Sequence, residues 1–213
     1  MAATETRLLL LGSVMIFEPV NGYQIRRELL SWNVQDWAHV NPGSIYSGLA
    51  TLTRRGDLDR HDLVDGGREV AVYTTTARGR EAFSTMWREA TETVDLLTPL
   101  AFHTALALMS LVTREDAAEA VNVRLAHLDA ELRGHVERAG GDVAPPHVRA
   151  MADLWAGLAS TEREWLADLR RRIRAGELDF RGEPERWAPP ADDPGWAIAR
   201  DRERYLSLIT ARR

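Results

Sequence analysis

Apolar residues recur at helical spacing along most of the chain. Leu8, Leu9, Leu11, Gly12, Met15 and Ile16 predict a buried helix that stops near Pro19. Asn21 is an N-cap for a second helix, Gly22 to Leu30, with Tyr23, Ile25, Leu29 and Leu30 on its apolar surface. A linker, Ser31 to Val40, carries Trp32 and Trp37. Asn41-Pro42 starts a third helix, Pro42 to Arg55, because proline at the first helical position forfeits no hydrogen bond. Ile45, Leu49 and Leu52 form its buried stripe, and Gly56 closes it as the C′ residue.

The period then changes. Val70, Val72 and Thr74 alternate against Glu69, Ala71 and Tyr73, a strand pattern that follows a first run, Leu58 to Val64. Asp65-Gly66-Gly67 between the runs predicts a β-hairpin. Three helices followed by a two-stranded wing form the winged helix-turn-helix arrangement, whose third helix normally enters the DNA major groove.

Helical spacing resumes after the wing. Thr76 caps a helix carrying Phe83, Met86, Trp87, Ala90, Val94 and Leu97, which breaks or kinks at Pro99. A short apolar helix covers Leu100 to Val112, and Thr113 to Asp116 opens the next. That helix carries Ala118, Val121, Leu125, Leu128, Leu132, Val136 and Ala139, stops at Gly140-Gly141, and the chain resets at Pro145-Pro146. The last long stripe is Val148, Met151, Trp155, Leu158, Glu162, Trp165, Leu169 and Ile173. Two such helices make a hairpin whose apolar face needs a second copy to cover it. The tail from 177 holds Pro184, Pro189, Pro190 and Pro194 with Trp187 and Trp196, then a helical stretch from Trp196 to Thr210. It either docks elsewhere or is disordered up to Pro194.

The expected fold is therefore mainly α with a small β-hairpin. Residues 1–88 are a winged helix-turn-helix DNA-binding domain, 89–176 a helical dimerisation and effector domain, and 177–213 a Pro/Trp-rich extension with a short helix. Leu8 to Phe17 and Leu100 to Val112 are both too short to span a membrane, so no membrane partner is expected. Leu8 to Phe17 also lacks the flanks of a signal peptide.

Composition narrows the chemistry. The 213 residues include no cysteine, which excludes disulfides, Cys-containing zinc sites and cysteine catalysis, and fits the cytoplasm. No Ser-His-Asp pattern or glycine-rich phosphate loop is present, so neither an enzyme nor a cofactor is expected. All 27 basic residues are arginine, set against 32 acids for a net charge of −5. Residues 1–88 hold ten arginines and ten acids; the remainder holds seventeen and twenty-two. The excess negative charge is therefore confined to the helical half, and the wing half is free to present a basic face.

Three stretches carry a more specific signal: LLLLGSVMIFEPVNGYQIRREL, NPGSIYSGLATLTRRGDL and DGGREVAVYTTTARGREAF. Gly22-Tyr23, Pro42 to Tyr46, Leu49, Gly56, Gly66-Gly67-Arg68, Tyr73 and Thr76 to Gly79 stand in the order and spacing of the PadR family of bacterial transcription regulators. The chain resembles that family over about residues 7 to 85. More loosely, AFHTALALMSLVTREDA and EREWLADLRRRI resemble the helical C-terminal region of longer members. The resemblance implies a homodimer formed through that region and a repressor acting on double-stranded DNA. In some members a phenolic or drug-like compound releases the DNA. This chain departs from the pattern at Ser47, where proline is common, and at Ala50, often basic. Its wing has one arginine and an added acid, Arg68-Glu69, where the family is richer in basic residues. These departures weaken the expected phosphate grip.

The candidate DNA-binding residues are Tyr23, Ser44, Tyr46, Ser47, Thr51, Arg54, Arg55 and Arg68. Against this, Tyr46 is open to a packing role, Ser44 to a cap, and the arginines to simple solvation. The candidate effector-binding residues are Trp87, Phe102, Trp155, Glu162 and Trp165, an aromatic-walled pocket at the dimer centre if they do not simply pack in the core. Glu162 interrupts its stripe and reads as a partner for an arginine across the dimer, a ligand-sensing group, or an exposed edge. His127, Glu131 and His135 share a helix face, but a solvated stripe explains them and no metal is expected. The alternative to a regulator is a small-molecule-binding or protein-interaction module that keeps the fold and binds DNA weakly.

Overall fold

The computed structural model describes residues 4–139, 144–184, 186–193 and 195–211, with the side chains of 135–139 also outside the description. The expectations placed on Gly140-Gly141, Pro194 and the side chains of His135, Val136 and Ala139 therefore lie outside the described residues. The chain divides into two compact units, 1–87 together with 185–213, and 88–184.

The first unit is built on α1, Thr4–Phe17. Leu8 to Leu11 and Val14 are buried on all sides, which makes α1 the central helix of this unit. A short strand β1, Val20–Asn21, leads into α2, Gly22–Ser31. Asn21 caps α2 by accepting the Gln24 N–H at 2.9 Å while the Gln24 side chain accepts the Asn21 N–H at 3.0 Å. This reciprocal capping box ties the start of α2 to the end of β1.

The linker contains one helical turn, α3, Val34–Trp37. Buried Val34 and a bond from Trp37 Nε1 to the Trp32 carbonyl at 2.9 Å hold it. The next helix, α4, covers Pro42–Arg54 with Arg55 as its C-cap. β2, Leu58–Asp65, and β3, Arg68–Thr75, follow as the wing hairpin. Asp65 faces Arg68 in the register, and Gly66 and Gly67 turn the chain with φ of 56° and 81°. Positive φ at both positions is what this two-residue turn requires. β1 pairs with β3 antiparallel, giving a three-stranded sheet in the order β1-β3-β2, one strand more than the alternation predicted. Two residues are too few for a period to register.

α5, Ala77–Glu92, begins with the Thr76 hydroxyl accepting the Gly79 N–H at 2.9 Å. It ends at Glu92, so Val94 and Leu97 lie in a loop and not on the continuous helix their spacing suggested. Beyond the helix end Asp95 closes a turn: its carboxylate accepts the Leu97 and Thr98 N–H groups at 3.0 and 2.9 Å.

The second unit contains α6, Leu100–Ala107, a 3-10 turn at Met109–Leu111, and two long helices, α7, Arg114–Ala139, and α8, Pro146–Ala175. α7 and α8 form the expected helical hairpin. Gly176, with φ of 70°, terminates α8. The chain then folds back within this unit: Arg181 N–H donates to the Val112 carbonyl at 2.9 Å, and the Arg114 guanidinium carbon lies 5.0 Å from the Phe180 ring centroid. The last helix, α9, Trp196–Thr210, belongs to the first unit. Among the described residues no helix is long and apolar enough to cross a membrane.

Candidate nucleic-acid interface and effector cleft

α4 is oriented by its two faces. Ile45, Gly48, Leu49 and Leu52 point into the core. Ser44, Ser47, Thr51 and Arg54 follow at steps of 3, 4 and 3, and so stand in one row on the other side. Ser44 Oγ donates to the Asn41 carbonyl at 2.6 Å, Ser47 Oγ to the Ser44 carbonyl at 2.9 Å, and Thr51 Oγ1 to the Ser47 carbonyl at 2.8 Å. Arg54 Nη2 donates to Thr51 Oγ1 at 2.9 Å. Each hydroxyl keeps acceptor capacity, and its one proton reaches a base edge or phosphate only by giving up the helix carbonyl. Asn41, not Ser44, caps the helix, with its side chain accepting the Gly43 N–H at 2.9 Å.

Tyr46 flanks this row and is 48% exposed. Its ring lies over Gly22: a Cβ there would come within 3.0 Å of Tyr46 Cε1. The glycine therefore brings the start of α2 against α4. Neighbouring Tyr23 is 63% exposed, so both hydroxyls reach solvent on adjoining elements. Arg68 stands exposed at the wing tip and makes no ion pair among the described residues. Arg55 is drawn elsewhere. Its Nε lies 3.4 Å from the fully buried Asp57 carboxylate, which Arg7 Nη2 approaches to 3.0 Å and Arg78 Nε to 3.4 Å. Arg7 and Arg78 were not foreseen as part of any cluster. Nothing in the local sequence links positions 7, 57 and 78.

Residues 10–85 match the model of the transcriptional regulator PadR-like family. This stretch is a PadR-like domain. No curated protein matches the chain. Among solved structures it is similar to Bacillus subtilis PadR in complex with operator DNA, at 17% identity and a TM-score of 0.36, over 78% of this chain and 98% of that one.

The residues proposed from sequence for an effector site all lie outside the matched stretch. Trp87 is 2% exposed and packs as core in the first unit. Phe102, Trp165 and Glu162 meet in the second unit around a residue that sequence reading missed. Arg124 is fully buried on α7. Its Nε donates to Glu162 Oε1 at 2.5 Å, Nη1 donates to the Thr91 carbonyl at 3.2 Å and to the Thr93 carbonyl, and Nη2 is buried without a partner. The guanidinium carbon lies 3.7 Å from the Phe102 ring centroid, and Trp165 meets Phe102 edge-on at 6.3 Å. A cation over an aromatic face, with a carboxylate at one end, compensates much of the cost of burial. Glu162 thus pairs with an arginine of its own chain. The signal was available: Arg124 sits three residues after Val121 and four before Leu128, on the buried stripe itself.

Beside this cluster opens a cleft of about 370 Å³, walled by Val94, Leu96, Leu97, Leu132, Trp155 and Ala159. Asp95 and Glu131 are its ionisable lining groups. The Thr98 hydroxyl and amide hold the Asp95 carboxyl below the ordinary carboxylate range, which keeps it charged. Trp155 and Trp165 are 37% and 44% exposed, so neither is the core residue its stripe suggested. His127 Nδ1 lies 2.8 Å from the Glu92 carbonyl, a bond it donates, and among the described residues no group of three metal-ligating side chains is present.

Proposed function

We propose that the protein is a sequence-specific transcriptional repressor that acts in the cytoplasm as a homodimer on a palindromic DNA operator and responds to a small-molecule effector. The observation that carries this reading is the partly exposed row Ser44-Ser47-Thr51-Arg54 on the outer side of α4, with exposed Tyr23 and Tyr46 and with Arg68 at the wing tip, within a PadR-like domain. The row offers small polar groups to base edges, and the flanks offer phosphate contacts. All charge-bearing contacts are arginine, which clamps phosphate or guanine through two N–H groups. Repression as the sign of regulation follows the habit of the family.

Dimerisation is supported by α8. Val148, Met151, Leu154, Trp155, Leu158 and Trp165 are exposed along one helix, an apolar surface that water does not tolerate cheaply. A two-fold pair of winged helices reads two half-sites about 10 bp apart. The cleft beside Trp155 is the place for an effector with an apolar, aromatic body. Such a molecule acts by preferring a dimer whose wings are spaced wrongly for the operator.

The second reading, a binding module that keeps the fold but grips DNA weakly, is favoured by the engagement of Arg55 with Asp57 and by a wing with one arginine at its tip. Hydroxyl-radical footprinting on the protein's own promoter separates the two. The repressor protects two symmetric patches about one helical turn apart. Uniform, weak protection identifies the binding module.

A further inference from the structure

The tail lies outside the residues matched to the PadR-like family, yet α9 is packed into the same unit as that domain. Its buried face is Ile198 and Tyr205, with Leu208 and Ile209 partly buried. Tyr205, Leu208 and Ile209 cover Leu63, Val70 and Val72 on one face of the wing sheet. Without α9 those wing residues would face water.

The polar contacts of α9 are more telling than its apolar ones. Asn21, the N-cap of α2, donates from Nδ2 to the Tyr205 hydroxyl at 2.9 Å. Gln24 uses both ends of its side chain: Oε1 accepts the Asn21 N–H, and Nε2 donates to Asp201 Oδ2 at 2.7 Å. Asp201 Oδ1 in turn accepts from Arg204 Nη2 at 2.7 Å, and the same nitrogen lies 2.8 Å from Asp65 Oδ2. Asp65 is the last residue of β2 and faces Arg68 across the turn. An unbroken polar chain therefore runs from the capping box of α2, through α9, to the tip of the wing. Tyr23 sits between the two capping-box residues at one end, and Arg68 sits at the other.

We propose that α9 is a positioning element of the DNA-reading face: Asp201, Arg204 and Tyr205 lock the start of α2 to the wing tip, so that Tyr23 and Arg68 are presented as one surface. The proposal takes its purpose from the DNA-binding reading, but the lock itself rests on the contacts alone. A two-stranded hairpin is marginal by itself and gains order from packing. Fixing the wing before binding removes the entropy that ordering it on DNA would cost.

Two measurements on the full chain test this. The first is hydrogen exchange without DNA. Arg204→Ala, at a half-exposed site that leaves the apolar packing in place, should speed exchange of the wing-tip amides about threefold. Tyr205→Phe, which keeps the ring and removes the acceptor for Asn21, should speed the first-turn amides of α2 by a similar factor, with α8 unchanged. Unchanged exchange in both variants overturns the lock, whether or not the protein binds DNA.

The second is a double-mutant cycle on operator affinity. Arg68→Ala should weaken binding about tenfold and Arg204→Ala about threefold, while the double variant is no weaker than Arg68→Ala alone. Additive losses overturn the positioning role, because a merely stabilising contact would act independently of Arg68. If the wild-type chain binds no operator, the DNA-binding reading fails, and the exchange measurement still decides whether α9 holds the wing.

Discussion

α4 and α8 both carry apolar residues at steps of 3 and 4, and the two helices meet different fates. On α4, Ile45, Leu49 and Leu52 are buried inside the PadR-like domain. On α8, Leu166, Leu169 and Ile173 are buried, while Val148, Met151, Leu154 and Leu158 on the earlier turns stay exposed. Helical spacing states that a face seeks cover; it does not state which surface provides it. In the first unit the cover comes from the same chain, including α9. In the second, half of α8 has no cover within its own unit, and a second copy is the proposed remedy.

The two units also treat charge differently. In the first, buried Asp57 is surrounded by Arg7, Arg55 and Arg78, each with some exposure. In the second, the arginine itself is fully buried and its carboxylate partner is at the edge. Losing one partner of a buried pair strands the other. The largest expected effect is therefore from Arg124→Met, which should cost about 3 kcal/mol in denaturant unfolding by leaving Glu162 and two carbonyls unpaired. Pairing it with Glu162→Leu should recover most of that loss. No recovery would mean that the carbonyl bonds, not the ion pair, dominate.

Next in size is the exposed face. Met151→Asp with Leu158→Asp should convert the dimer to monomer at micromolar concentration in light scattering, with the PadR-like domain still folded by circular dichroism. A wild-type chain that is already monomeric would remove the contrast between the two units. On the DNA side, Tyr46→Ala should weaken operator binding about tenfold, within the range for a single specific contact, and leave the dimer intact. Unchanged affinity would remove Tyr46 from the interface and leave it as a residue that packs on Gly22.

The smallest effect concerns Asp95 in the cleft loop. Its folded carboxyl titrates below the ordinary aspartate range, so it is stabilising above that range and the contribution is lost as pH falls through the lower folded value. An NMR titration should find the Asp95 midpoint below that of an aspartate in an unfolded chain, with exchange of the Leu97 and Thr98 amides, after correction for the intrinsic rate, unchanged until that carboxyl titrates. Asp95→Ala should speed both at every pH. A carboxyl that titrates at or above the value of a free aspartate would contradict the loop geometry.

Much of the first unit was legible in the sequence because its signals are local. Asn21 and Asn41-Pro42 mark helix starts, and Gly66-Gly67 marks a turn, all with short-range physical causes. The candidate interface followed from the face opposite Ile45, Leu49 and Leu52. What escaped was non-local. β1 is a strand only because β3 lies beside it, and Arg7 and Arg78 join Arg55 around Asp57 only because folding brings them there. Arg124 was passed over because arginine on a stripe is ordinarily read as surface, although its spacing placed it inside. α5 stops at Glu92 and Asp95 closes a turn through its side-chain bonds, against the apolar period that continues to Leu97.

The central claim is that the exposed face of the PadR-like domain reads a specific DNA sequence. Competition anisotropy with the protein's own promoter fragment against random DNA, at two salt concentrations, tests it most directly. The account predicts promoter binding at least about a thousandfold tighter than random DNA, with affinity falling steeply as salt rises. Equal affinity for promoter and random DNA, in the absence of any effector, would contradict it.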